Sequence, residues 1–96
     1  MDERNEIVYG DSFWKDVGKL PKEAREKLPE LFEMLAENAF DPRLHTKPLG
    51  PPLVGRYSFR ITRDWRVAFR FESDHCLKIL MTDNRDKIYQ RLKRAL

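Results

Sequence analysis

The chain has 96 residues, 41 % apolar, 36 % charged and 11 % aromatic. That is the composition of one small globular domain, expected to span 1–96, and it excludes a disordered or fibrous chain. The lone Cys76 excludes an internal disulfide framework and fits a reducing compartment. Two histidines and one cysteine are too few for a four-ligand zinc site. No apolar run approaches the roughly 18–20 residues of a membrane span, and the opening MDERNEIVYG lacks the basic-then-apolar order of a signal peptide. A small cytoplasmic domain without metal, cofactor or membrane partner is expected. The net charge of +3 hides a split. Residues 1–42 carry 6 basic and 11 acidic side chains (−5), and residues 43–96 carry 13 and 5 (+8). Nine of those thirteen are arginine, the side chain best suited to bidentate phosphate contact. The asymmetry fits either a polyanion partner or a basic surface kept for solubility.

In chain order, Glu6-Ile7-Val8-Tyr9 reads as a short strand ended by Gly10. Asp11-Ser12 offers an N-cap, and Phe13, Val17 and Leu20 fall on one helical face. From Pro21 a second helix follows, with Ala24, Leu28, Leu31 and Leu35 at helical spacing and Phe32, Ala36 and Ala39 widening the stripe. Pro29 predicts a kink or restart, because a proline inside a helix costs about 3 kcal/mol. Residues 40–52, with four prolines and a glycine, are expected to be a constrained loop without regular structure. Three strands follow, Leu53–Thr62, Arg66–Glu72 and Cys76–Thr82, with turns at Arg63-Asp64 and Ser73-Asp74-His75. The last stretch, Asn84–Leu96, is basic, with Ile88, Leu92 and Ala95/Leu96 at helical spacing. The fold expected is α+β: an N-terminal strand and a two-helix hairpin packed on an antiparallel sheet of about four strands, with a short C-terminal helix.

Strand parity carries the functional argument. Leu53, Tyr57, Phe59, Ile61, Val67, Phe69, Phe71, Leu77, Ile79 and Met81 point one way. Arg56, Arg60, Arg66, Arg70 and Lys78 point the other, with Leu80 and only Glu72 as an acid among them. Cross-strand arginines repel, so a sheet that gathers them sacrifices stability, and a phosphate ligand would offset the loss.

The segments KPLGPPLVGRYSFRITRDWRVAFRF (residues 47–71) and NRDKIY (residues 84–89), in this order behind a strand and a helical hairpin, resemble the RelE/ParE toxin superfamily of type II toxin–antitoxin systems. The resemblance spans nearly the whole chain. It implies a RelE-like fold and, in the RelE, YoeB and YafQ branches, a ribosome-dependent mRNA endoribonuclease that works without a metal. There the 2′-hydroxyl attacks the adjacent phosphate. By that likeness Arg66 stabilises the transition-state phosphate, and Arg60 stands where relatives place Lys, Arg or His. Arg85 stands where they carry His or Arg near the scissile phosphate, and Tyr89 is the terminal aromatic that orients or stacks on the substrate. Lys47 occupies the place of a Glu or His, and Asp64 that of an acid before a tryptophan, here Trp65. The family's usual base is missing, and arginine makes a poor one. Lys47, if crowding and burial free it of its proton, and His45, the nearby imidazole, are the candidates. Arg56, Arg70, Lys78, Asp64 and His45 are expected at the RNA or its phosphates.

Two other classes are compatible with the same residues: a ParE-like toxin that inhibits DNA gyrase without cutting RNA, and an inactive module that binds RNA or an antitoxin. The partners implied are a cognate antitoxin, the ribosome and mRNA, with a homodimer or a toxin–antitoxin hetero-oligomer as the assembly.

Overall fold

The alternating segments pair into one sheet in the computed structural model, which describes residues 3–96. Its strands are β1 (Glu6–Tyr9), β2 (Lys47–Pro48), β3 (Arg56–Arg60), β4 (Trp65–Ser73) and β5 (Cys76–Asn84). Their order is β1-β5-β4-β3-β2. β3, β4 and β5 form the antiparallel meander that the turns at 63–64 and 73–75 require. Two features go beyond the expected sheet. β1 runs parallel to β5, so the sheet is mixed. Within the proline-rich loop, Lys47 and Pro48 pair antiparallel with Ser58 and Tyr57 as a fifth strand. A two-residue edge strand containing proline suits a sheet border, where a missing donor faces no further strand.

Helices α1 (Phe13–Val17) and α2 (Lys22–Glu37) lie on one face. Phe13, Leu20, Ala24, Leu28, Leu31 and Leu35 meet Phe59, Val67, Phe69, Leu77 and Ile79 in the main core. Ser12 takes the N-cap position of α1 but makes no side-chain cap. Pro29 does not break α2, which runs unbroken through it. The proline lies on the exposed side, where the carbonyl it leaves unbonded stays open to solvent.

Helix α3 (Ile88–Arg94) packs on the opposite face. Its Ile88 and Leu92 close a second cluster with Leu49, Leu53, Ala68 and Met81. This corrects the parity reading at two places, Met81 and Leu53. The register slips between Ala68 and Phe69, opposite Met81 and Ile79, so Leu80 is a bulge. The extra residue turns Met81 onto the α3 side instead of into the main core. Leu53 precedes β3 and belongs to the α3 side as well. Gly55, at φ +91°, makes the left-handed turn between Leu53 and that strand. Ala95 and Leu96 are exposed, so only Ile88 and Leu92 carry the helix's apolar stripe.

A polar network ties the two faces together around the rim of β5. β1 stops at Tyr9, and beyond it the buried Asp16 of α1 accepts a hydrogen bond from the Thr82 N–H at 3.3 Å. Arg91 of α3 donates to Asp16 at 3.2 Å and to Asp83 at 3.1 Å. Thr82 donates through its hydroxyl to the Arg66 carbonyl at 2.7 Å. Removing Asp16 would strand the Thr82 N–H and leave Arg91 with Asp83 and the Thr82 carbonyl. We expect Asp16→Ala to cost about 2 kcal/mol, allowing for the partial exposure of Arg91. Urea unfolding measures it, and a loss indistinguishable from a surface substitution would show that the network adds nothing.

A second prediction concerns the turn after α2, a 3-10 turn over Pro42–Leu44. Asp41 accepts hydrogen bonds from the Arg43 backbone N–H and side chain, and these hold its carboxyl at about 2. The folded value lies below the unfolded one of about 3.9. The contribution is therefore complete above about pH 4 and is lost as pH falls toward 2. In Arg43→Ala, which removes the side-chain donor and keeps the backbone N–H, the Asp41 midpoint followed by NMR should rise part of the way toward the ordinary range, and an unmoved midpoint would remove the Arg43 side chain as a cause.

Candidate functional site

Strand register sorts the cations into rows. Arg60 faces Arg66, which faces Asp83; four residues along, Arg56 faces Arg70, which faces Lys78. All five predicted cations do share one side of the sheet. The expectation of a single exposed side fails between the rows. There Ser58, Ala68 and Met81 lie in register, buried, with Ile88 and Leu92 of α3 packed over Ala68 and Met81. The helix divides one basic face into two basic sites.

The first site gathers the residues expected to do chemistry. Arg66 is half-buried beside Arg60, Arg85, Tyr89 and Asp64, close enough for each to act on its charge. Desolvation, then Arg60 and Arg85, lower its ordinarily very high pKa, while Tyr89 and Asp64 push it back up. A guanidinium stays protonated under such pressure, so the site is a fixed positive charge with little compensation. Its cross-strand acid does not neutralise it, because Asp83 is engaged by Arg91. Arg66 Nε is buried and has no hydrogen-bond partner among the described residues. A buried unpaired donor costs about 1–3 kcal/mol unless something accepts from it, and a phosphate oxygen would.

The surroundings are fixed by local structure. Asn84 accepts through Oδ1 from the N–H groups of Asp86 and Lys87 at 3.0 and 2.9 Å. This turn launches α3 and sets Tyr89 over the sheet. Arg85 donates its N–H to the Asp64 carbonyl at 2.8 Å, and its Nε stands 4.0 Å from the Asp64 carboxylate. Lys47, on the edge strand, holds its Nζ 5.4 Å from the Tyr89 ring centroid, a cation–π contact made by the ammonium form. Lys47 is exposed. Lys47 and Tyr89 also line a shallow cavity of about 320 Å³ beside Leu49 and Lys93.

The backbone of His45 has a local role. It is exposed, left-handed at φ 53°, and closes the 3-10 turn by donating its N–H to the Pro42 carbonyl. Arg56, Arg70 and Lys78 lie beyond α3, around a separate cavity. Asp16, Thr82, Asp83 and Arg91 were not among the residues that the sequence pattern singles out. The one visible signal was an acid in line with Phe13 and Leu20 on the buried stripe of α1. Its partners lie 66 and 75 residues away, beyond any local pattern.

No protein-family model matches the chain, and no curated protein does. Solved structures do match its fold. A YoeB/ParE toxin from Agrobacterium tumefaciens is 23 % identical and aligns over 83 % of this chain and 98 % of its own, with TM-score 0.70. The toxin–antitoxin complex RelBE2 from Mycobacterium tuberculosis aligns at 26 % identity over 85 % and 99 %, with TM-score 0.70. YafQ from E. coli aligns at 22 % identity over 90 % and 99 %, with TM-score 0.73.

The Arg66 side chain should be the site's anion sensor. In a titration with inorganic phosphate followed by NMR of arginine Nε–H groups, the Arg66 resonance should move most. A shift confined to other arginines would mean that its unpaired donor is not presented to the ligand.

Proposed function

We propose that this chain, whose fold is that of the RelE, YoeB and YafQ toxins, is the toxin of a type II toxin–antitoxin pair and an mRNA endoribonuclease acting at the ribosome. The observation that carries the reading is the buried, unpartnered Nε of Arg66 within a cluster of cations. Self-cleavage of RNA needs that arrangement. The 2′-oxygen attacks the adjacent phosphorus, the bond to the 5′-oxygen breaks, and a 2′,3′-cyclic phosphate and a 5′-hydroxyl result. The phosphorane between carries extra negative charge, and preorganised donors aimed at that charge supply the largest share of catalysis. Arg66 is the central donor. Arg60 and Arg85 add charge on either side, and Tyr89, with Lys47 against its ring, offers a face for an unpaired base.

The proton of the 2′-hydroxyl needs an acceptor. The carboxylate that stands beside Arg66 and Arg85 is Asp64. Its backbone is pinned by Arg85, and its side chain is exposed toward the same approach. We assign it the base, and the departing 5′-oxygen takes its proton from solvent water. The products leave when water replaces the phosphate contacts. The antitoxin would supply acidic side chains to the same arginines, which fits the toxin–antitoxin complexes among the matching structures.

Induction in growing cells should arrest translation, and transcript ends should map within translated frames. Arg66→Ala should lower cleavage about 10²–10³-fold, the loss typical of removing one transition-state donor. Asp64→Asn should lower the rate while leaving RNA affinity in place. Growth arrest with intact transcripts would overturn the nuclease reading, and accompanying DNA breaks would point to gyrase.

A further inference from the structure

The second basic row has its own architecture. Arg56, Arg70 and Lys78 stand side by side across β3, β4 and β5 and line a cavity of about 230 Å³. Leu92 and Ala95 of α3 wall it on one side, and Ser12, whose side chain caps nothing, contributes on another. Three like charges in direct register repel, and the row is under-compensated. Arg70 donates through Nε to Glu72 at 3.0 Å, an exposed pair of small worth. Arg56 makes only a 3.4 Å contact to the Val54 carbonyl. Lys78 forms no ion pair among the described residues.

Arg66 and Arg70 are four residues apart on β4, roughly 13 Å at the usual rise per residue, with Leu92 lining the space beside the second row. A single phosphate cannot reach both rows, whereas a single strand with several phosphates can. We propose that Arg56, Arg70 and Lys78 form a second, non-catalytic phosphate site that grips the backbone of the same RNA strand away from the scissile bond. This deepens the nuclease reading and rests on RNA being the ligand, but it does not need cleavage to occur. Charge selects a polyanion here, and the cross-strand guanidinium pair favours the fork geometry of phosphate oxygens. A remote grip of this kind adds affinity and holds the strand in place at the reacting centre.

The test uses the full chain carrying Arg66→Ala, so that cutting is slow, and follows a short single-stranded RNA by fluorescence anisotropy over a range of salt. Adding Arg56→Gln and Lys78→Gln should weaken binding about tenfold at low salt. It should also flatten the log–log salt slope by roughly 1.4, or 0.7 for each phosphate that is no longer neutralised. Glu72→Gln, a single exposed change that releases Arg70, should instead tighten binding about threefold. Inorganic phosphate should compete weakly and a mononucleotide no better, since neither spans both rows. An unchanged slope in the double variant, or Glu72→Gln without effect, would overturn the site. So would a glutamate-rich peptide that loses affinity on the double substitution while RNA does not. Transcript mapping with Arg66 intact separates the two ideas. A flattened slope with no cleavage sinks the nuclease and keeps the site, whereas cleavage with an unchanged slope does the reverse.

Discussion

Arg66 faces Asp83 across β4 and β5 and does not pair with it, and the character of the molecule follows from that. Asp83 is held by Arg91, which also reaches the buried Asp16. The Arg66 backbone is fixed by Thr82, while its Nε is left buried without an acceptor. One acid is thereby diverted from the sheet to a helix. The diversion stabilises α3 against the rim of β5 and leaves an unneutralised guanidinium on the sheet. A contact on the sheet is exchanged for one to the helix at a single carboxylate.

The same helix gives the basic face its grain. A bare sheet with five cations would be a diffuse positive surface, attractive to any polyanion and weakly oriented. Ile88 and Leu92 cover the apolar middle of that sheet and leave a row of cations on either side. The bulge at Leu80 makes this packing available, because it turns Met81 toward the helix and keeps Asp83 in register with Arg66. Direction along β4 is thus built in, with one row beside Tyr89 and Asp64 and the other beside Leu92 and Ala95.

Much of this was legible in the sequence because it depends on alternation, which is local. The parity of Arg56, Arg60, Arg66 and Arg70 follows from spacing within single strands, and the structure keeps it. The helical stripe of α2 was equally legible, and Pro29 misled only because its exposure was not. Three things were out of reach for a common reason. The bulge is a mismatch between two strands, the Asp16–Arg91 pair joins residues 75 apart, and the roofing of Ala68 by α3 is a tertiary choice. Each is decided by partners that the local pattern does not name. The proline-rich segment is a milder case, since an edge strand of two residues needs only the neighbour that Ser58 and Tyr57 provide.

In the proposed reading, Asp64 gains its place as the carboxylate beside Arg85 and Arg66. A cleft built from guanidinium groups is good at holding a phosphorane and poor at taking a proton, because every member already has one. The proton acceptor must come from outside the strand rows, and the turn at Arg63-Asp64 is where the chain can present it without neutralising Arg66 directly. At 4.0 Å from Arg85 Nε the carboxylate is oriented but not locked, so a 2′-hydroxyl can still compete for it. The arginines make the phosphate the better electrophile and lower the demand on the base. In that reading a carboxylate can take the place of an imidazole.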